Sequence, residues 1–417
     1  MGLPLNVTTL QRLDRWVFPG VCLLLTLVRR LTERKRGEAA PRFGSLLFVK
    51  LAEQGSSVLA IPAFEQAVAL VGRENVHALV FEENRPILDA LGIIPPENIH
   101  TVDQRSLGSM VTSTLRQLLT LRRMKLGAAV DLEFFARFSA ALTFLSGATW
   151  RSGLHAPFGE GPFRGDLMTH RVLFNPHLHT SRMFLALTKA LEFPAAQLPT
   201  LPWVPPEGRG SFSPPPDEAS AARARELILR ETGLEQIPRL VLLNPNSGDF
   251  LPLRRWPPEN YQRLAKMILK EWPEAHIALT GTTGEAEAAE SLARSVGSPR
   301  CFSLAGKTSL PELLALYAQS DLLVTNDSGP AHFASLTTTQ VIVLFGPETP
   351  KLFAAESPRT LPLSAGLACS PCISAANNRQ SACRDNQCMK QLGVERVFAA
   401  VRECLGAGTP VGAPLPR

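Results

Sequence analysis

Apolar positions along this chain fall into short continuous runs, separated at regular spacing by longer amphipathic stretches. From residue 45 the runs 45–52, 76–81, 98–102 and 128–132 read as buried strands. A polar turn, Glu53-Gln54-Gly55-Ser56-Ser57, leads into an apolar helix over 58–71, and a short helix covers 85–91. A helix with the basic end Arg122-Arg123-Met124-Lys125 precedes the fourth strand. Strands alternating with helices at this spacing predict βαβ units and a parallel sheet. Residues 150–180, with many Gly, Pro and His, read as irregular, and a helix resumes over 183–191. The proline-rich stretch 194–217 has the composition of a linker.

Beyond it the alternation restarts. Helices are expected at 218–232, 258–272, 285–295 and 311–319, the last opened by the capping box Ser309-Leu310-Pro311-Glu312. Strands are expected at 240–244, 276–280, 321–325 and 341–345. The prediction is an α/β chain with two doubly wound domains, 44–193 and 218–408, and a tail at 409–417. In such domains ligands bind at the carboxyl ends of the strands.

The first 43 residues stand apart. Trp16 to Val28 is apolar apart from Thr26 and is flanked by Arg15 and by Arg29-Arg30. The run is too short to span a bilayer as a helix, which takes about 20 residues. With Asp14 before it and no small-residue cleavage site after it, it is a poor signal peptide. It predicts a helix lying in a membrane interface, or one packed on the protein's own surface. Residues 31–43, rich in Arg, Lys, Glu and Pro, read as a tether.

Composition narrows the function classes. The apolar share of 45% is that of a globular chain with a large core. The net charge of +6 is spread along the sequence, which suits anionic substrates or a membrane surface. No zinc-finger spacing, RNP motif or long basic helix points to nucleic acid.

Four loops at strand ends of the second domain carry candidate chemistry. Asn244-Pro245-Asn246-Ser247-Gly248 followed by Arg254-Arg255-Trp256 offers a hydroxyl and a guanidinium fork to phosphate oxygens. Gly281-Thr282-Thr283-Gly284-Glu285 offers a carboxylate to ribose or sugar hydroxyls, or is a simple helix cap. Gly306-Lys307-Thr308 is the third. The fourth is Asn326-Asp327-Ser328-Gly329-Pro330-Ala331-His332, where Asp327 and Ser328 suit a cap and Gly329 allows close approach of a ligand. His332 follows on the first helical turn.

Taken in order, Trp256-Pro257, Gly281–Glu285, Leu304–Leu310, Asn326–His332 and Leu344-Phe345-Gly346-Pro347 resemble glycosyltransferase family 9, the bacterial ADP-heptose:lipopolysaccharide heptosyltransferases. The resemblance covers roughly residues 45–402 and is strongest in the C-terminal half. It implies a GT-B fold, with two Rossmann-like domains facing a cleft, the acceptor on the first and the nucleotide diphosphate sugar on the second. It implies inverting transfer without a catalytic metal or other cofactor, onto a lipid-linked or phosphorylated glycan at the inner face of the cytoplasmic membrane. Residue by residue it gives Ser247 and Arg254 to the donor phosphates and Glu285 to the ribose. Asp327, Ser328, Gly329 and His332 fall to diphosphate and sugar.

One departure matters. The family's first loop reads Gly-Asp-Val-Leu, with the Asp as general base, whereas here Gly55-Ser56-Ser57-Val58 puts Ser56 in its place. Serine at its ordinary pKa cannot take the acceptor proton unaided. Glu53 is the nearest replacement, and Asp131 and Glu133 are the next candidates; a weak or inactive homologue is the alternative. Cys369, Cys372, Cys383 and Cys388 have the spacing C-x2-C-x10-C-x4-C, open to a structural zinc, disulfides or free thiols. His177 and His179 can share one strand face, with a hydrogen-bonding or acceptor-side role favoured over a metal.

Overall fold

The apolar runs become the parallel strands of two separate six-stranded sheets. The computed structural model of the chain describes residues 7–33, 40–156, 162–206, 212–214, 217–248, 251–375 and 379–406. Parts of the expected tether (34–39), irregular stretch (157–161), linker (207–211, 215–216) and the tail lie outside the described residues. The chain divides into two units: Met1–Gly210 with Ser374–Arg379, and Ser211–Ile373 with Gln380–Arg417.

The first unit begins with helices α1 (Val7–Trp16) and α2 (Phe18–Thr32). The order is then β1 (Leu46–Val49), α3 (Gln54–Leu59), α4 (Ile61–Val71), β2 (Val76–Phe81), α5 (Arg85–Leu91) and β3 (Ile99–Val102). It closes with α6 (Leu107–Met124), β4 (Ala128–Asp131), α7 (Arg137–Leu145), β5 (Trp150–His155), β6 (His170–Leu173) and α8 (Thr180–Lys189). The sheet order is β3-β2-β1-β4-β5-β6. Both faces are covered, so β1 and β2 are buried at every position. Leu47, Val49, Leu79 and Phe81 face α6 and α7, while Phe48 packs edge-on against Phe64 of α4 at 4.9 Å.

Three expectations for this unit are corrected. The turn expected at 53–57 is helical from Gln54, because Glu53 takes a left-handed backbone (φ 67°) and opens α3 directly. The stretch expected to be irregular contains β5 and β6, whose buried polar residues hid them. Arg151 is 2% exposed, and its guanidinium is satisfied by the carbonyls of Leu167 (2.8 Å) and Ala148 (2.7 Å) and by Glu33 (2.7 Å). His177 and His179 share no strand face: His179 caps α8, accepting from Ser181 N at 3.2 Å, and His177 N donates to Asn175 Oδ1.

The N-terminal helices pack on this unit. Cys22 is buried with Ala140, Leu167 and Met168, and Phe18 meets Phe138 at 5.2 Å. Arg29 pairs with Asp166 at 2.8 Å. Gly165 (φ +72°) lies so close to α2 that a Cβ there would meet Thr26 Oγ1 at 2.6 Å. Glu33 holds Arg29 and Arg151, so the segment expected to be a tether starts as a fixed element. Among the described residues no helix is long and apolar enough to cross a membrane.

The second unit runs α9 (Glu218–Thr232), β7 (Arg239–Asn244), α10 (Pro258–Glu271), β8 (Ala275–Leu279), α11 (Ala286–Val296), β9 (Cys301–Ser303) and α12 (Leu310–Ala318). It continues with β10 (Leu322–Asn326), α13 (Gly329–Ala334), β11 (Gln340–Phe345), α14 (Pro350–Phe353), β12 (Thr360–Ser364), α15 (Gln387–Lys390) and α16 (Val394–Gly406). The order is β12-β11-β10-β7-β8-β9. The two strands that the sequence did not announce, β9 and β12, are the sheet's edges, short or carrying Pro362, where the apolar signal is weakest. The Ser309–Glu312 capping box forms as expected, with Ser309 N donating to Glu312 Oε2 at 2.8 Å.

Candidate active site

In the second unit the chain steps from β7 outward through β8 and β9, then returns to place β10 on the other side of β7. The crevice of a doubly wound sheet opens at such a switch point. The loops after β7 and β10 therefore meet there, and they carry Ser247 and Asp327–Gly329.

Asn326, fully buried at the end of β10, ties these loops together. Its Nδ2 donates to the carbonyls of Pro245 (2.9 Å) and Asn246 (3.2 Å). Its Oδ1 accepts from Trp256 N (3.1 Å) and the Tyr261 hydroxyl (3.2 Å). All four side-chain sites are used, so this amide fixes the chain on both flanks of Arg254. Asn386 reinforces that position by donating to the carbonyls of Leu253 (3.0 Å) and Arg255 (2.9 Å).

Arg254 Nη1 donates to the Asp327 carbonyl at 3.0 Å. Its Nε lies 3.6 Å from Asp327 Oδ2, and its Nη2 pairs with Glu348. Glu348 follows Phe345-Gly346-Pro347 at the end of β11 and is almost fully buried, as is Asp327. Burial pushes the Glu348 carboxyl up to about 8 and raises Asp327 as well, against the opposing pull of Arg254. The neighbouring Asp327 adds to the rise at Glu348. One guanidinium fork, half satisfied by acid groups, thus sits at the switch point.

The remaining expected donor residues belong to the loops after β7, β8 and β10 and to α13. Ser247 is half-buried and its hydroxyl donates to Leu251 O at 3.3 Å. Ser328 occupies the N-cap of α13 without a side-chain cap bond; its hydroxyl donates to Asn326 O at 3.2 Å, and Asp327 is held by Arg254. The expected capping by these two side chains is therefore corrected. Gly329 packs close to Phe333, whose ring a Cβ would meet at 3.2 Å. His332 is buried on α13. Glu285 Oε2 accepts from Thr282 N (2.8 Å) and Thr282 Oγ1 (2.9 Å) in a capping box, the cap alternative that the loop allowed.

The first unit has its own switch point, between β1 and β4. Glu53 lies after β1, one third exposed, with Arg379 paired to its Oε1 and the Ser56 hydroxyl 3.4 Å from its Oε2. Gly55, Ser56 and Ser57 are buried within α3. Asp131 is fully buried, its carboxyl pushed up to about 6 by burial and bound by Arg164 and by Ser139 Oγ at 3.1 Å. Glu133 accepts from Lys50 Nζ (3.0 Å) and Ala52 N (2.9 Å). Of the three acids, Glu53 is the most exposed.

The sequence did not single out Glu348, Asn326 or Arg379. Glu348 is the residue after a motif that had been noticed, so its place at a strand end was a usable signal. Arg379 had none: it is half-buried, with its pKa lowered to about 10 by desolvation, and is more than 300 residues from Glu53. The cysteines form no centre: all four are free thiols, and among the described residues no group of three or more His, Cys, Asp or Glu side chains is placed to hold a metal. Cys372 meets Ser381 Oγ at 3.2 Å and Cys383 meets Asp385 O at 3.1 Å.

Comparison with known proteins bears on the fold and the family. Lipooligosaccharide heptosyltransferase 2 of Haemophilus influenzae is 34% identical over 107 residues, 25% of this chain and 30% of that protein. The chain thus spans under a third of that relative's length. Among solved structures, the family 9 glycosyltransferase of Veillonella parvula superposes with a TM-score of 0.67 at 16% identity, covering 88% of this chain and 99% of the other. The E. coli heptosyltransferase with ADP-2-deoxy-2-fluoro heptose gives 0.60 at 16% identity, covering 86% and 99%. These likenesses establish the GT-B type fold of two six-stranded parallel sheets. The family model for glycosyltransferase family 9 (heptosyltransferase) matches residues 138–382, more than half of the chain, and the chain belongs to that family.

Proposed function

We propose that this chain is an inverting, metal-independent glycosyltransferase that moves a sugar, heptose from ADP-heptose, onto a lipid-linked glycan such as the lipopolysaccharide core. The observation that carries the reading is Arg254, fixed at the β7–β10 switch point by Asn326 and Asn386. A diphosphate leaving group needs positive charge and oriented donors, and a guanidinium fork in a buried site supplies both. In the reaction the acceptor hydroxyl oxygen bonds to the anomeric carbon and gives its proton to Glu53. The carbon–oxygen bond to the diphosphate breaks, and its electron pair leaves with ADP, neutralised by Arg254. Ser247, Asp327, Ser328, Gly329 and His332 surround diphosphate and sugar, and Glu285 serves the ribose from its capping box.

The enzyme works at the inner face of the cytoplasmic membrane, peripherally, where a lipid-linked acceptor is presented. A second reading, a weak or inactive sugar-nucleotide binder, is favoured by Ser56 at the family's base position and by the Glu53–Arg379 pair. A family 9 transferase for another donor sugar is the third.

Calorimetry with ADP tests the donor site. Arg254→Ala should bind ADP roughly 10- to 100-fold more weakly than wild type, the scale of a charge-assisted hydrogen bond. Equal affinity in the two proteins would remove this site. A thermal-shift screen of ADP-, UDP- and GDP-sugars then identifies the donor, and transfer to an acceptor extract separates the enzyme from the binder.

A further inference from the structure

Helix α6 carries two apolar stripes. Met110, Thr114, Leu118 and Leu121 face the core of the first unit. Leu107, Val111, Leu115 and Leu119 recur every fourth residue on the neighbouring ridge, and each is about half exposed, Leu115 at 56% and Leu119 at 57%. A helix on a soluble surface ordinarily turns polar residues outward. Helix α2 repeats the pattern: Cys22 and Thr26 are buried, while Leu23, Leu24, Leu27 and Leu31 are exposed.

Both helices lie on the same side of the first sheet. The core residues of α6 share a cluster with Leu142 and Leu145 of α7, and Arg122 Nε donates to Leu145 O at 2.7 Å. Helix α2 packs on the same α7 through Phe18–Phe138 and Cys22–Ala140. Charge on these elements has one sign. No Asp or Glu occurs from residue 15 to 32 or from 104 to 125, whereas exposed arginines or lysine stand at Arg15, Arg30, Arg116, Arg123 and Lys125.

We propose that α6 and α2 together form a docking surface for an anionic lipid bilayer, with α6 as a second contact independent of the N-terminal helix. Exposed leucines enter the headgroup boundary, and the flanking cations meet lipid phosphates, the arrangement of a helix lying on a membrane rather than crossing it. The charge argument sets lipid above a second copy of this chain, because a copy would bring the same positive face. The inference extends the membrane placement proposed above and does not depend on the donor or the base.

The test is cosedimentation of the full chain with phosphatidylcholine vesicles, with and without phosphatidylglycerol. Wild type should bind the anionic vesicles. Leu115→Ser with Leu119→Ser, more than half exposed and outside the core, should bind about tenfold or more weakly while keeping its thermal melt. Arg116→Gln with Arg123→Gln should weaken binding to anionic vesicles only. Wild-type affinity in both double variants, or no vesicle binding by wild type, would overturn the proposal. So would a wild-type dimer by light scattering that the leucine variant converts to monomer with vesicle binding unchanged. ADP calorimetry on the same samples keeps the readings apart: failure to bind ADP counts against the transferase, and failure to bind vesicles counts against this surface.

Discussion

The two switch points of this molecule are built from the same topology and organised by opposite means. After β7 and β10, the groups that fix the site are near neighbours of the strands themselves: Asn326 at the end of β10, and Trp256 and Tyr261 before and within α10. After β1 and β4, the acids are each paired with a cation: Arg164 on Asp131, Lys50 on Glu133, and Arg379 on Glu53. One crevice is framed by a buried amide whose hydrogen bonds tie two loops around Arg254, and the other by one cation on each of its acids. Leaving-group stabilisation needs fixed dipoles and charge, which suits the first kind of site. A general base needs a carboxylate that substrate can reach, and Glu53 is the most exposed of the three acids.

The largest expected effect would break the comparison at the first unit. Glu53→Gln should lower turnover by roughly 100-fold or more, the usual scale for general base catalysis. ADP affinity should not change, because the donor loops belong to the second unit. Ser56→Ala, which removes the hydroxyl's 2.9 Å bond to the Glu53 carbonyl and its 3.4 Å contact to the carboxylate, should matter far less. Full turnover in the Gln variant, measured under saturating donor, would move the base elsewhere, with Asp131 and Glu133 next, whereas no turnover by wild type would strengthen the inactive-homologue reading.

How far the sequence reached follows the same division. The strand–helix alternation gave both sheets, because fully apolar runs such as Leu46–Val49 and Leu322–Val324 have no other buried form at that length. Strands β5 and β6 stayed hidden because Arg151, Ser152 and His170 break the apolar run, and their burial depends on partners such as Glu33 and Leu187 O. The loops proposed for the donor were legible as motifs at strand ends. Glu348 was adjacent to one but carried no motif of its own. The Glu53–Arg379 pair was beyond reach, because nothing local says which distant loop returns to the first unit.

A middling effect sharpens the electrostatics of the second unit. Glu348 has a folded pKa of about 8, raised by burial above its ordinary 4.5. A raised carboxyl contributes stability that is present below its unfolded pKa and lost as pH rises through the folded one. Wild type should therefore lose stability relative to Glu348→Gln as pH rises from about 4.5 to 8, by at most about 5 kcal/mol for a shift of that size. Urea titrations of both proteins across that window would show it. A wild-type-minus-variant difference that is flat with pH would mean that Arg254 keeps Glu348 ionised throughout.

The smallest effect asks whether the N-terminal helices belong to the first unit or merely lie on it. Asp14 of α1 acts as a cap for a different helix: its Oδ1 accepts from Arg137 N (2.7 Å) and Phe138 N (2.9 Å) at the start of α7, and its Oδ2 pairs with Arg137 at 3.2 Å. Ala136, at the N-cap of α7, has no side chain that can do this. The first-turn N–H groups of α7 thus depend on a residue more than 100 positions earlier. Asp14→Ala should cost about 1–2 kcal/mol by urea denaturation, the scale of a lost cap. Asp14→Asn, which keeps an acceptor oxygen, should recover most of it, and ADP affinity should stay at the wild-type value in both. An Ala variant as stable as wild type would show that α1 and α2 can leave the first unit without cost, and would return residues 1–43 to the status of a detachable anchor.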